Sequence, residues 1–189
     1  MSYTVGYFVG SLSSTSINRK LAEALVKLAP EGVEFTEIPI KNLPLYSQDY
    51  DGDYPPEGRA LKESIKAVDA ILFVTPEFNR SIPGGLKNAI DWASRPWGTN
   101  SFDHKPVAVI GASPGALGTA LAQQSLRAVM SFLNARQMTS PEGYCTIDEG
   151  TFGDDGTVTD ERTRNHLSKF MKEFDEHSRR VLAVLPPQR

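Results

Sequence analysis

The 189-residue chain has a single cysteine, Cys145, which excludes an intrachain disulfide and a cysteine-ligated zinc cluster. It has no strong excess of either charge, because 20 basic and 23 acidic side chains leave a net charge of −3. A nucleic-acid partner, which needs a basic face, is therefore not expected. No apolar run approaches the ~20 residues that span a membrane, and no leader pattern precedes the first strand-like segment. We expect a cytoplasmic protein without a membrane partner and, since no His, Asp and Glu residues have metal-ligand spacing, without a metal.

Apolar strand patterns alternate with helical patterns along the chain. Strands are predicted near 3–9, 33–38, 70–74, 107–110 and 136–140, and helices near 16–29, 57–67, 84–94, 118–134 and 160–184. Near-continuous apolar strands in such an alternation indicate a parallel sheet with helices on both faces. Residues 1–189 are thus predicted to form one α/β domain, a flavodoxin-like three-layer sandwich whose five strands have the order 2-1-3-4-5.

Two loops, 44–57 and 141–158, are longer than a connection requires. Long loops are often functional, although a solvated surface explains both equally well. Trp92 and Trp97 flank the end of the helix 84–94, where a place in the core or in a subunit interface is favoured over stacking on a substrate. Cys145 is expected to be packed and unreactive.

A polar loop, GSLSSTSIN, joins the first strand to the first helix over residues 10–18. Its hydroxyls and free backbone amides can surround an anion, and the dipole of the following helix favours negative charge there. A serine-rich N-cap is the alternative, but one serine is enough to cap a helix. The pattern is neither the P-loop GxxxxGK[ST] nor the dinucleotide fingerprint GxGxxG, and the later run Gly111–Gly118 has the wrong glycine spacing for that fingerprint.

The loops 10–18, 75–83 and 111–118 follow strands that are neighbours in the predicted order, so they share one edge of the sheet. Ligands of open parallel sheets bind beyond the carboxyl ends of the strands. The first loop can hold a phosphate, and the other two can flank a flat heterocycle. This combination suits a mononucleotide with a planar ring, and flavin mononucleotide (FMN) fits best.

Three segments, GSLSSTSIN (10–18), PEFNRSIPGGLKNAIDWASRP (76–96) and GASPGALGTALAQQSLR (111–127), resemble the NADPH-dependent FMN reductase family, in particular its quinone, chromate and azo reductases. The resemblance implies that Ser11, Ser16 and Asn18 are foremost in binding the FMN phosphate. The whole set that it implies for cofactor binding is Ser11, Leu12, Ser13, Ser14, Thr15, Ser16, Ile17, Asn18, Pro76, Glu77, Phe78, Asn79 and Ser113. Within that set, Pro76–Asn79 would lie along the isoalloxazine ring.

The chain departs from the family pattern at two positions. Many relatives have an arginine where this chain has Ser13, so a direct positive charge on the phosphate is lost, and Arg19 or Lys20 could compensate. Phe78 stands where the family has a tyrosine, which keeps a flat apolar surface and removes a hydroxyl.

The resemblance implies an NAD(P)H-dependent oxidoreductase. NADPH or NADH would pass a hydride to FMN, and a quinone, chromate or an azo compound would then take two electrons from the reduced flavin. No side chain is assigned as a catalytic acid or base. Arg80 is a candidate contact for the phosphates of the pyridine nucleotide, with an ion pair as the alternative. Three other functions stay open: a reductase of free flavin, a non-enzymatic electron carrier and a phosphate-binding regulatory domain.

The helix 118–134 has apolar residues on more than one face, which exceeds a single amphipathic stripe. This distribution predicts burial against another subunit, and the family resemblance implies a homodimer or homotetramer.

Overall fold

The computed structural model describes residues 2–148, 150–153 and 155–185. Its strands are β1 (Tyr3–Val9), β2 (Val33–Glu37), β3 (Ala70–Val74), β4 (Pro106–Ser113), β5 (Arg136–Gln137) and β6 (Gly143–Thr146). Its α-helices are α1 (Ile17–Lys27), α2 (Pro56–Lys66), α3 (Gly84–Ser94), α4 (Ala120–Phe132) and α5 (Glu161–Val184), and a single 3₁₀ turn covers Gln48–Tyr50. The strong apolar patterns therefore mark the right elements, with boundaries shifted by a few residues at most of their ends.

The strands form one parallel sheet with the order β2-β1-β3-β4-β5, which confirms the predicted flavodoxin-like fold. The fifth position differs from the expectation. The strand expected over 136–140 ends at Gln137, and β6 pairs with the carboxyl-terminal half of β4. β6 was missed because its four residues, GYCT, lie in a polar, glycine-containing segment that reads as a loop.

Both faces of the sheet are covered, since successive residues of a strand point to opposite sides. In β3, Leu72 packs in the core against α1 and α5, whereas Phe73 packs in the core against α2, α3 and α4. All five residues of β3 are buried. A fully buried side chain of this size stabilises the fold by about 1.5–3 kcal/mol, so this central strand fixes the position of whatever follows it.

Three tyrosines of the loop 44–57 pack around Trp92, which has no exposed surface. The rings of Tyr46, Tyr50 and Tyr54 lie 5.2, 5.4 and 4.9 Å from the Trp92 ring, between centroids. The indole Nε1 of Trp92 donates a hydrogen bond to the Pro44 carbonyl at 2.7 Å. Trp92 is thus a core residue, which is one of the two positions predicted for it.

Two further expectations concern single side chains. Cys145 is buried, which raises the pKa of its thiol to about 12 and leaves it protonated at neutral pH. Trp97, unlike Trp92, is 76% exposed and is therefore not part of the core. Among the described residues, no helix is long and apolar enough to cross a membrane.

Candidate functional site

The three predicted loops leave the sheet at one edge. Val9 of β1 is aligned with Val74 of β3, which is aligned with Ile110 of β4. The ladder continues one residue further, because the Gly10 amide donates to the Val74 carbonyl at 2.8 Å and the Thr75 amide donates to the Ile110 carbonyl at 3.0 Å. The loops that begin here are therefore side by side.

Glycine allows the strand ends to approach this closely. A Cβ on Gly10 would lie 2.8 Å from Oγ1 of Thr75, and one on Gly111 would collide with the Thr75 carbonyl oxygen and the Thr119 hydroxyl. Thr75 is fully buried and its hydroxyl donates to the Pro76 carbonyl at 2.9 Å. Thr75 was not among the predicted site residues. Its position directly after a buried apolar strand could have indicated a residue at this edge of the sheet.

The first loop supplies free donors at the start of α1. Ser16 caps this helix, since its Oγ accepts a hydrogen bond from the Arg19 amide at 3.3 Å. Among the hydrogen bonds of the described residues, the amides of Leu12, Ser14, Ser16 and Ile17 are not used as donors. The first turn of α1 also has no acidic residue, so these amides and the helix dipole are chemically suited to an anion.

Side-chain hydroxyl groups also stabilise the conformation of this loop by accepting hydrogen bonds from its amides. The Ser13 amide donates to Ser11 Oγ at 3.3 Å, and the Thr15 amide donates to Ser13 Oγ at 3.2 Å. Ser11 and Ser16 are nearly buried, whereas Ser13, Ser14 and Thr15 are exposed. Leu12 is half exposed at the tip, where a Cβ on Gly85 of α3 would lie 3.3 Å from its Cδ1. The loop is thus a preformed turn with an open, polar side.

Asn18, at the end of the same loop, is buried, with only 1% of its surface exposed. Its Nδ2 donates to the Ala112 carbonyl and its Oδ1 accepts from the Ala112 amide, both at 2.9 Å. Both ends of the side-chain amide are thus bonded to the backbone of β4. The structure places the Asn18 side chain as a link between the first and third loops.

The two cations proposed to replace the missing arginine are not at the loop. Arg19 forms a bidentate ion pair with Glu37 of β2, with both N–O distances at 2.9 Å. Lys20 is exposed on the surface of α1. The expectation that Arg19 supplies a charge to the phosphate is therefore wrong, because a carboxylate of the neighbouring strand already holds its guanidinium.

The second loop forms a tight turn that displays Phe78. Phe78 and Ser81 exchange two backbone hydrogen bonds of 3.2 and 3.0 Å, and the two residues between them have positive φ angles, 50° at Asn79 and 62° at Arg80. These are the features of a type I′ turn. The turn leaves the Phe78 side chain 54% exposed and presents a flat apolar surface.

Glu77 faces inward, with only 10% of its side chain exposed. Its Oε2 accepts hydrogen bonds from the amides of Leu121 and Ala122, at 2.9 and 3.1 Å, in the first turn of α4. Its Oε1 accepts from Nη1 of Arg80 at 3.2 Å. Arg80 thus has an ion pair within its own loop, and the rest of its side chain is exposed.

The third loop begins later than predicted, because β4 continues to Ser113. The Ser113 hydroxyl accepts a hydrogen bond from the Gly115 amide at 3.1 Å and lies at the partly exposed end of the strand. The amides at the start of α4 are all bonded: that of Ala120 to the Leu117 carbonyl, the next two to Glu77, and that of Gln123 to the Thr119 carbonyl. The amides of residues 120–123, which form the first turn of α4, therefore already have protein acceptors, in contrast to the amides at the start of α1.

A large surface cleft lies at the opposite, amino-terminal edge of the sheet, with Lys62, Trp97 and Lys105 among its lining residues. It includes none of the predicted site residues. Among the residues that the structure describes, no group of three or more His, Cys, Asp or Glu could hold a metal ion.

The sheet order and the three adjoining loops are those of a flavodoxin-like α/β protein with its ligand-binding edge at the carboxyl ends of β1, β3 and β4. A model of the NADPH-dependent FMN reductase family matches residues 3–150, and the chain belongs to this family.

Similar proteins agree with this assignment. A 2-hydroxy-1,4-benzoquinone reductase of Burkholderia sp is 48% identical over 92% of this chain and 95% of the relative. A quinone reductase of Pseudomonas putida is 44% identical over 91% of this chain and 92% of the relative. The solved structure of FerB, a flavoenzyme NAD(P)H:(acceptor) oxidoreductase from Paracoccus denitrificans, matches with a TM-score of 0.90 at 44% identity, covering 94% of this chain and 98% of that one. The chain is thus an oxidoreductase with FMN as cofactor and NAD(P)H as co-substrate.

The residues at the carboxyl edge fit FMN. Free amides and hydroxyls at the start of α1 suit a phosphate, and the exposed ring of Phe78 suits a planar apolar group. Absence of a cation in the first loop does not prevent this, since each hydrogen bond to a charged group contributes about 1.5–3 kcal/mol.

Proposed function

We propose that this protein reduces quinones with electrons that FMN receives from NAD(P)H. Two relatives, 48% and 44% identical to this chain, are named as a 2-hydroxy-1,4-benzoquinone reductase and a quinone reductase. The observation that carries the proposal is the convergence of the loops after β1, β3 and β4 at one edge, with free amides at the start of α1 and an exposed Phe78 nearby.

The phosphate group of FMN is assigned to residues 11–18. The amides of Ser14, Ser16 and Ile17, with the hydroxyls of the exposed Ser13 and Thr15, can donate to it directly. Ser11 and Asn18 would stabilise this arrangement, because their side chains form hydrogen bonds with the Ser13 amide and with the backbone of Ala112, respectively. The dipole of α1 favours the dianion at this position.

The ring of FMN is assigned to the space between the second and third loops. Pro76, Phe78 and Asn79 would line one side and Ser113 the other, with Glu77 holding the second loop in place. When bound, FMN supplies the two-electron chemistry. The chain contributes backbone N–H groups of both loops, which stabilise negative charge, and leaves proton delivery to water.

Arg80 is assigned a contact with the phosphates of NADPH or NADH. Its side chain is 65% exposed, and its hydrogen bond to Glu77 uses an N–H of Nη1, which leaves other N–H groups among the five of a guanidinium. An exposed cation beside a ring-binding loop is suited to attract an anionic co-substrate.

We further propose that the protein is a cytoplasmic homodimer or homotetramer. On α4, Leu126 and Met130 are buried against the sheet, while Leu121 and Phe132 are 40% and 75% exposed. A second copy would cover these outward apolar groups.

The proposal is tested with the purified protein as isolated. We expect a yellow protein with one FMN per chain, bleaching of the flavin absorbance on anaerobic mixing with NADH or NADPH, and a higher kcat/KM for 2-hydroxy-1,4-benzoquinone than for chromate, an azo dye or free FMN. A flavin that neither nucleotide bleaches would instead indicate an electron carrier. A protein that loses FMN on dilution and turns over free FMN fastest would indicate a reductase of free flavin.

A further inference from the structure

We infer that Glu77 is a positioning residue: it joins the ring-binding loop to helix α4 and so sets the distance between the second and third loops. The inference rests on the proposed site for the ring of FMN. Glu77 would then act on the cofactor through the backbone it holds, without touching the cofactor with its carboxylate.

The carboxylate of Glu77 is fully engaged by the protein. One oxygen accepts from the amides of Leu121 and Ala122, at 2.9 and 3.1 Å, and the other accepts from Arg80 at 3.2 Å. The side chain is 10% exposed, so little of it can face a ligand. Both carboxylate oxygens of Glu77 thus have protein partners, which lie 3, 44 and 45 residues away in sequence.

Helix α4 depends on this contact because it lacks a cap of its own. Its N-cap residue, Thr119, has a left-handed backbone with φ 69° and forms no side-chain cap hydrogen bond. The Thr119 hydroxyl instead accepts from Nε2 of Gln123 at 2.9 Å. Glu77 therefore supplies, from a loop 44 residues earlier, the acceptor that an N-cap side chain usually supplies.

The turn that displays Phe78 also depends on Glu77. Asn79 and Arg80 both have positive φ, which asparagine tolerates and arginine does not favour. The guanidinium of Arg80 donates to the same carboxylate at 3.2 Å, so the turn and α4 share one acceptor group. One carboxylate thus fixes the orientation of the turn and the position of α4 at the same time.

For the contact with α4, the length of the Glu77 side chain matters more than its charge, because the ion pair with the exposed Arg80 contributes little. Glu77→Gln keeps the length and one acceptor oxygen for the two amides. Glu77→Asp keeps the charge but is one methylene shorter, so it cannot reach α4 from the same backbone position. Glu57→Ala, an exposed residue in the first turn of α2, is the matched control for loss of a glutamate near a helix start.

The experiment measures two properties of each apoprotein. Hydrogen–deuterium exchange reports the protection of residues 76–81 and 119–123, and titration with FMN by fluorescence quenching gives Kd. For Glu77→Asp we expect faster exchange in both segments and a Kd raised on the order of tenfold, the effect of losing hydrogen bonds to a charged group. Glu77→Gln and Glu57→Ala should stay within about threefold of the unchanged protein in Kd, an interval below that loss.

Equal Kd values for Glu77→Asp and the unchanged protein would overturn the inference, as would a Glu77→Gln variant that binds FMN as weakly as Glu77→Asp. Faster exchange confined to 76–81, with α4 still protected, would also overturn it. Failure of the unchanged apoprotein to bind FMN would refute the proposed FMN site itself, and is thereby distinguished from failure of the role given to Glu77.

Discussion

Ser13 is the position in the proposed phosphate loop at which the family resemblance implies an arginine in many relatives. Its hydroxyl accepts from the Thr15 amide and lies 3.2 Å from the Thr15 hydroxyl, and the residue is exposed. Arg19, the nearest candidate for a replacement charge, is paired with Glu37. The described loop therefore relies on neutral donors and the dipole of α1 to bind an anion.

A positive charge at this position should strengthen FMN binding. For Ser13→Arg we expect a Kd for FMN lowered on the order of tenfold at low salt, because an ion pair with the phosphate replaces a hydrogen bond from an uncharged hydroxyl. The gain should shrink as ionic strength rises. Fluorescence titrations at two salt concentrations measure both effects. Ser13→Gln, of similar length and without charge, is the control, and an unchanged Kd for Ser13→Arg would contradict a phosphate site in this loop.

At the scale of elements, α1 and α4 begin at the same edge of the sheet but have opposite roles. The first amides of α1 have no protein acceptor, whereas those of α4 are bonded to Glu77 and to neighbouring carbonyls. An anion is therefore directed to α1. Two of these α4 amides, those of Leu121 and Ala122, have their acceptor in Glu77 of the loop after β3.

Helix α5 is attached to the sheet partly through His177, whose Nε2 lies 2.8 Å from the Arg136 carbonyl of β5. Because a carbonyl only accepts, Nε2 carries the proton. Burial is the main cause that lowers the pKa of His177 below its usual 6.5. Below pH 6.5 the unfolded chain therefore binds more protons at this residue than the folded one, and the free energy of unfolding falls as the pH is lowered.

His177→Gln should flatten this dependence. Urea denaturation between pH 7 and pH 5 is expected to show a smaller decrease in unfolding free energy for His177→Gln than for the unchanged protein. His166→Gln, at an exposed position of the same helix, should retain the original slope. Parallel curves for the unchanged protein and His177→Gln would show that this histidine does not contribute.

At the scale of the whole molecule, α4 has two large apolar side chains, Leu121 and Phe132, at the surface. Phe132 is 75% exposed near the carboxyl end of the helix. If a second copy covers this face, a charge there must be buried without a partner, which strongly disfavours association.

Phe132→Glu is accordingly expected to dissociate the oligomer, giving a smaller species in light scattering coupled to size-exclusion chromatography. Lys20→Glu, on α1 at the other face of the sheet, changes the net charge more and should leave the mass unchanged. An unchanged protein that is already a monomer would refute the proposed oligomer, and a Phe132→Glu variant with full oligomer mass would exclude this face as the interface.

The limits of sequence reasoning are visible in particular segments. β3 and α3 were predicted with their observed bounds because a fully buried strand and a strongly periodic helix are local patterns. β6 was not predicted, since its pairing with β4 depends on a partner more than 30 residues away and its own composition is that of a loop. The same applies to Trp92, whose place in the core depends on the loop 44–57 folding over it.

The order of apolar and polar segments was by itself enough to predict a parallel sheet and the polar loop before α1, because hydrophobic periodicity and turn composition act over a few neighbouring residues. The strand order was predicted from the flavodoxin-like fold that this alternation fits. Family membership also followed from contiguous motifs, and the comparison with the family model confirmed it. Only the tertiary structure decided which polar groups remain available to a ligand. Asn18, Arg19 and Glu77 find their partners 94, 18 and about 44 residues away, so their roles depend on hydrogen bonds that form only when the sheet brings distant segments together.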